Sequence, residues 1–300
     1  MCIRKNVYIL ACFILWACGS KSGVPSSPGQ AAETVYMNGG RFLMGNTEET
    51  DATPQIEQDI PAFYIHRYEV NVASFREFTL KTGYRTQAEK NGGSYVFDPQ
   101  GSPDSPGLPS APWWKYRKGA DWQYPSGPGK PAAKDMEPVR HIAWEDACAY
   151  CAWLGMRLPS EAEREYLAQS GIREDDAVNT WQGIFPYKNE GTDGFASVAP
   201  VGSFPADRNG LYDISGNVWE WCADPYHAGW YTFAAALGTE ARRKGPSRGY
   251  DPEDPYGETR VIRGGSFLCS DNYCSGYAPR ARMRSSVRLS FEHIGFRCAR

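Results

Sequence analysis

The sequence predicts an α+β domain with modest regular secondary structure, and three observations carry that reading. The 300-residue chain is 41% hydrophobic and holds 10 Trp, 18 Tyr, 31 Gly and 22 Pro. Aromatic rings supply large buried area, while Gly and Pro interrupt the backbone every few residues. Three stretches show helical periodicity with recognisable ends, and the apolar runs between turn residues are short enough only for brief strands.

The first helix is capped by Asn71, carries Val72, Phe75 and Phe78 at helical spacing and stops at Gly83. A second runs from Glu145 to Leu154, with Ala147, Cys148, Cys151 and Leu154 on one face and Gly155 as its stop. The third starts at Ser160, where Ser160 and Glu163 form a capping-box pattern, and Gly171 ends it. Phe63–Tyr68 and Arg260–Gly264 read as strands, and the Pro/Gly/Ser-rich stretch 98–112 reads as a surface loop.

Ahead of the domain lies a targeting segment. Arg4 and Lys5 precede an apolar run, Val7 to Ala17, that is too short for a mature membrane-spanning helix. Leu15-Trp16-Ala17-Cys18 resembles a bacterial lipobox, so residues 1–17 are expected to be a lipoprotein signal and Cys18 the lipidated residue. Residues 18–32 form a flexible tether and 33–300 a single domain. An ordinary signal peptide cut nearby is the alternative. Both place the protein outside the cytoplasm, and the lipid would hold it to a membrane of the bacterial cell envelope, facing the periplasm in a Gram-negative cell. A net charge of −3 provides no basic field for nucleic acid.

Six cysteines fall in the domain: 148, 151, 222, 269, 274 and 298. An even number in an oxidising compartment first suggests three disulfides. Cys269 and Cys274 are five residues apart, so a helix would splay them and a strand would turn them to opposite faces. Only a tight loop brings both sulfurs together, and Asp271-Asn272 suits one. Such a pair can form a local disulfide, hold a soft metal such as Cu(I), or remain as free thiols. The spacing leaves all three open.

Four segments narrow the choice. They are Gly40-Arg41-Phe42-Leu43-Met44-Gly45 with Phe63 to Val70; Pro138-Val139 through Trp144-Glu145-Asp146-Ala147 to Arg157-Leu158-Pro159-Ser160; Asn209 to Trp221, containing Ser215-Gly216-Asn217-Val218-Trp219-Glu220; and Arg260 to Ser266 with Gly295-Phe296-Arg297-Cys298. In that order they resemble the formylglycine-generating enzyme, or sulfatase-modifying factor, family. Trp113-Trp114 with Gly119 to Trp122, Asn179 to Gly183 with Phe185-Pro186, and the Cys-x4-Cys pair after Arg-Gly-Gly-Ser resemble its catalytic members more narrowly. The iron-dependent branch needs a His-rich motif, whereas the four histidines here are widely spaced.

The resemblance implies a single domain related to C-type lectin folds and stabilised by calcium. It assigns one calcium to Asn179, Thr180, Asp193 and Phe195, and a second to Asp213, Gly216, Val218 and Glu220, oxygen donors of the kind Ca²⁺ prefers. Cys151 and Cys298 match a family disulfide. A second family disulfide would need Cys at Ala168 and Pro279, and Arg164 stands where Trp is common. Ser270 follows the first active-site cysteine where His is frequent, and Ser275-Gly276 the second where Arg is often seen.

The implied activity is oxidation of a cysteine in an unfolded sulfatase polypeptide, within Cys-x-Pro-x-Arg, to Cα-formylglycine. Cys269 and Cys274 would hold copper, O₂ would be the oxidant and a thiol the reductant. Ser266, Trp219 and Asn217 are expected to line the site. Two alternatives stand beside it. One is a non-catalytic envelope lipoprotein on the same fold, whose members generally lack the cysteine pair. The other is a copper oxidase acting on a different protein cysteine.

Overall fold

The computed structural model describes residues 33–48, 50–100, 107–108, 111–172 and 177–300. The expected signal segment, Cys18 and the tether lie outside the described residues.

Local signals set the helix ends. In α1 (Val72–Thr82) the Asn71 side chain accepts from the Ser74 N–H, and Gly83, at φ 68°, closes the last turn through its bond to Thr79. Val72, Phe75 and Phe78 are its buried face. The short helix α2 (Gln87–Asn91) begins with a capping box between Thr86 and Glu89. In α3 (Trp144–Trp153), Asp146 reaches back from the first turn to the Ala143 N–H. Helix α4 (Glu161–Gly171) has the expected Ser160–Glu163 box. It runs through Gly171 and ends as Ile172 turns extended. Gly171 is required for a different reason, because a Cβ there would meet the Asp207 carboxylate at 1.9 Å. Two shorter helices follow, α5 (Trp230–Ala235) and α6 (Thr239–Arg243).

The strands are short and divided among several small sheets. β1 (Thr34–Met37), β2 (Gly40–Met44), β3 (Ile56–Ile60) and β4 (Phe63–His66) make two antiparallel pairs, β1 with β4 and β2 with β3. β5 (Gly93–Phe97), β6 (Gly107–Leu108) and β7 (Ala111–Lys118) form a second unit in the order β5-β7-β6. The stretch read as a surface loop thus gives its last residues to a strand, because Trp114 at its start is buried in the core. β8 (Gly183–Ile184) and β9 (Lys188–Asn189) are a small hairpin.

The sheet that matters for the site contains β10 (Trp219–Pro225), β11 (Thr259–Arg263), β12 (Met283–Ser286) and β13 (Ile294–Gly295), in the order β12-β11-β10-β13. β10 pairs antiparallel with β11, Glu220 opposite Arg263, and parallel with β13, Trp219 opposite Ile294. Trp219, at the head of β10, and Ser266, just beyond the end of β11, therefore share one edge.

The main core packs Phe75, Phe78, Trp122, Tyr150 and Phe296 around α1 and α3. The Cys151–Cys298 disulfide joins α3 to the C-terminal segment. That segment is also sewn to β4, with Tyr64 and Arg300 exchanging backbone hydrogen bonds.

Candidate active site

Beyond Arg263, Gly264 and Gly265 adopt φ values of 96° and 74°, left-handed backbone that favours glycine. They turn the chain off the sheet into Ser266. The Phe267 N–H then bonds to the Asn217 carbonyl at 2.9 Å, and Trp181 N–H to the Cys269 carbonyl at 2.8 Å. Ser270 and Cys274 exchange backbone hydrogen bonds at 3.0 and 2.9 Å, folding residues 270–274 into a tight reversal. Asn272 pins its tip to the Gly183 carbonyl. Two cysteines five residues apart consequently face each other, with sulfurs 2.9 Å apart. A disulfide bond would be about 2.05 Å, so both are free thiols.

The two thiols differ in character. Burial, then the bond to Cys274, pushes the Cys269 thiol well up. The bond from Cys269 lowers Cys274 against the opposing effect of burial, and the Gly276 N–H adds to the lowering. The pair therefore releases its first proton as a unit, the remaining thiol donating to the thiolate. The Ser266 hydroxyl reaches the Cys269 sulfur and works against its rise.

Trp219 lies against the second cysteine. A Cβ on Gly276 would sit 2.3 Å from the Trp219 ring and 3.2 Å from the Cys274 sulfur. Gly276→Ala must displace the indole, and such overpacking is expected to cost about 1–3 kcal/mol. A lower urea midpoint at unchanged slope would show it; a wild-type midpoint would mean that the ring has room to move.

Aromatic residues form the other wall. Tyr273 stacks on Phe185 with centroids 4.0 Å apart, and Trp113 meets both edge-on at 5.2 and 5.3 Å. Trp181 and Phe97 support Phe185 from behind. Tyr273 keeps 48% of its surface exposed. Segments far apart in sequence, 113–114, 181–185 and 273, meet beside the cysteines. Tyr273 and Phe185 were not singled out as site residues; their signal is adjacency to Cys274 and membership of a quoted segment.

Asn217 does not line the site as expected. Its φ of 56° turns the side chain under the loop, where it is fully buried. The amide oxygen accepts from Asn179 and the Ala199 N–H, and the nitrogen donates to Glu69 at 2.6 Å. Asn217 acts through its backbone, holding Phe267.

The first calcium set converges in part. Asp193 accepts from the Thr180 and Phe195 N–H groups and from the Gln182 amide, which also donates to the Thr180 carbonyl. The Asn179 side-chain oxygen is buried and has no partner. An unmatched buried oxygen acceptor is one part of the donor chemistry a hard cation requires. In the second set, Asp213 accepts from the Gly202 N–H. Glu220 departs from expectation, because both its oxygens are already held by Arg297 at 2.8 Å and one also by Arg164 at 3.2 Å. Glu69, absent from the expected set, is the carboxylate that electrostatically accompanies Asp213 and Glu220. Burial, then Asp213 and Glu220, raises it well above its ordinary value, and burial pushes Asp213 up to about 6.

Cys148 and Cys222 do not pair; both are free thiols, and burial pushes Cys148 up to about 11. Among the described residues, no group of three or more His, Cys, Asp and Glu side chains is placed to hold a metal ion. Among the described residues, cavities of ≈ 440 Å³ around Trp230, ≈ 370 Å³ around Glu258 and ≈ 350 Å³ around Asp224 lie elsewhere on the molecule.

A two-thiol loop on the edge of a small sheet, with Ser266 and Trp219 beside it, defines a class. The chain belongs to the sulfatase-modifying factor family: the family described as "Sulfatase-modifying factor enzyme 1-like domain" matches residues 21–300. Among individual relatives it is 40% identical to the formylglycine-generating enzyme of Thermomonospora curvata, over 91% of this chain and 95% of that one. The bovine enzyme of the same name is 38% identical, over 92% of this chain and 76% of that one. A mouse relative named "Inactive C-alpha-formylglycine-generating enzyme 2" is 35% identical, over 88% and 84%. PvdO from Pseudomonas aeruginosa shares the fold, with a TM-score of 0.61 at 22% identity, covering 89% of this chain and 93% of that one.

Proposed function

We propose that the protein oxidises a cysteine in a sulfatase, within Cys-x-Pro-x-Arg, to Cα-formylglycine. Family membership alone does not carry this, since one relative is named inactive. The observation that carries it is the pair of unbonded thiols, Cys269 and Cys274, facing each other at 2.9 Å.

Two soft sulfur donors, with no third His, Cys, Asp or Glu ligand among the described residues, fit Cu(I). Bound there, copper supplies with O₂ the oxidising chemistry that no protein side chain provides. The remaining work belongs to the chain. The pair gives up its first proton as a unit, and Ser266 steadies the Cys269 sulfur. Trp219 fills one side of the cysteines, while Trp113, Phe185 and Tyr273 offer an apolar wall against which an extended peptide can lie. The balanced reaction converts the substrate CH₂SH, O₂ and two reductant thiols into an aldehyde, hydrogen sulfide, a disulfide and water. Incubation of a Cys-x-Pro-x-Arg peptide with the protein, Cu(I), O₂ and a thiol should yield, by mass spectrometry, an aldehyde that a hydrazide captures. An unchanged peptide in the presence of copper-loaded protein would overturn the reading.

Calcium at the first set completes the proposal. The unmatched Asn179 oxygen and the Asp193 carboxylate support it; the second set is less open, because Glu220 is already compensated. Adding Ca²⁺ after chelation should raise the melting temperature by ligand linkage, and Asp193→Ala should remove most of that rise. A rise undiminished in the variant would move the metal elsewhere.

The lipid anchor remains part of the reading. Among the described residues no helix is long and apolar enough to cross a membrane, and the lipobox-like Leu15 to Cys18 is what supports attachment to the envelope. Cys18→Ala should release the protein from membranes and abolish palmitate labelling; normal labelling in the variant would exclude Cys18.

A further inference from the structure

The two sulfurs of the cysteine loop are held unequally. Cys269 is buried; its N–H donates to the Ser266 carbonyl at 2.9 Å, and its carbonyl accepts from Trp181 at 2.8 Å. Cys274 stands on the outer arm, half-buried, after the exposed tip Asp271-Asn272-Tyr273. Its backbone bonds go to Ser270, a member of the same reversal. Where the Cys274 sulfur lies relative to Cys269 therefore depends on what holds the outer arm.

Past Cys274 the chain is fixed again at Tyr277. A Cβ on Gly265 would lie 2.5 Å from the Tyr277 nitrogen, so the exit of the loop presses on its entry turn. The Ser215 hydroxyl donates to the Tyr277 carbonyl at 2.7 Å. From that anchored backbone the Tyr277 hydroxyl reaches back and donates to the Asp271 carboxylate. Asp271 comes two residues after Cys269, and Tyr277 three after Cys274. The bond closes a ring of chain that contains Cys274 and spans the arm that carries it. The bond from Asn272 to the Gly183 carbonyl holds the tip but does not cross the arm. Hydrogen bonds to an ionised acceptor are the stronger kind, which suits a clamp at the surface of the protein.

We propose that Tyr277 and Asp271 are positioning residues for the thiol pair: their hydrogen bond holds the Cys274 arm toward the fixed Cys269 and so sets how closely the two sulfurs approach. Neither residue acts on the substrate. Their effect is preorganisation, which raises the effective concentration of one sulfur at the other. The value of this to the oxidation rests on the reading of the pair as the reactive centre. The clamp itself acts on the metal-free thiols, and it is tested on them.

Metal-free protein is equilibrated with reduced and oxidised glutathione. The dithiol and one glutathione disulfide give the Cys269–Cys274 disulfide and two glutathione thiols, so the oxidised fraction measures how readily the sulfurs meet. Alkylation and trypsin allow it to be read by mass on the peptide 264–280, apart from the other cysteines. Tyr277→Phe and Asp271→Ala should each lower the oxidation equilibrium about tenfold, which is about 30 mV for this two-electron couple. The double variant should lose no more than either single one, because all three break the same bond. Asp271→Asn keeps an oxygen that can accept from Tyr277, so it should retain most of the wild-type value. A wild-type or higher oxidised fraction in either single variant would overturn the proposal, as would a double variant that multiplies the two losses or an Asn variant that behaves like Ala. If the wild-type protein binds no Cu(I) while the variants still shift the exchange as expected, the copper reading falls and the clamp stands.

Discussion

Cys274→Ser and Cys269→Ser are each expected to bring peptide oxidation to background, a loss of at least about 10³-fold, and to abolish Cu(I) binding. The reason is donor chemistry. Two facing thiols are the soft ligands at this site among the described residues, and a serine hydroxyl is a harder donor that keeps its proton. No neighbouring side chain can substitute, because Ser266 is also a hydroxyl and Tyr273 turns its ring to Phe185. A structural disulfide between the same residues would behave differently. Its loss would cost about 2–3 kcal/mol for so short a loop, with no copper stoichiometry to lose. Cys151→Ser is the control. It removes the bond between α3 and the C-terminal segment, so it should weaken the fold while the folded fraction still binds one Cu(I). Wild-type oxidation by either active-site variant would sink the mechanism.

Local signals were legible in the sequence. Asn71 with Gly83 and Ser160 with Glu163 mark helix ends through bonds made within one turn, so neighbouring residues suffice to reveal them. Strand β10 was not legible as a strand. Trp219 to Cys222 are all buried, because β11 and β13 flank them in a covered sheet, and the alternation that betrays a half-exposed strand is missing. The meeting of Cys269 and Cys274 was left open because the spacing permits it only in a reversal, and that reversal depends on reciprocal hydrogen bonds no pattern announces. Asn217 was misplaced for a related reason. A motif gives the position of a residue, but its positive φ decides that the amide points beneath the loop. Glu69 and Arg297 were missed as a group because their partners are distant: Glu69 bonds to Asn217, and Arg297 to Glu220, 148 and 77 residues away in the chain.

Arg297→Met is expected to cost about 3–5 kcal/mol, the range for removing one member of a buried ion pair. The side chain is fully buried. Nε and Nη2 hold Glu220 at 2.8 Å, Nη1 reaches the His66 and Arg67 carbonyls, and Nη2 also serves those of Tyr212 and Asp213. One guanidinium thus fastens the C-terminal segment to β4 and to the 212–220 stretch that leads into Trp219. Without it, Glu220 keeps Arg164, while Glu69 and Asp213 lose the guanidinium that offsets them. The sign of the pH dependence follows. Glu69 is already raised well above 4.5 and Asp213 from 3.8 to about 6, so the folded state binds more protons than the unfolded state above about pH 4. Stability associated with these carboxylates is full at low pH and falls as pH rises through the folded values. Loss of Arg297 should push both groups further up, so the deficit of the variant should be smaller near pH 5 than near pH 8. Arg297→Lys, which keeps the charge but not the planar fork, should fall between wild type and Met. Urea midpoints at the two pH values would decide it: a deficit independent of pH would show that lost carbonyl contacts, rather than carboxylate repulsion, dominate the cost.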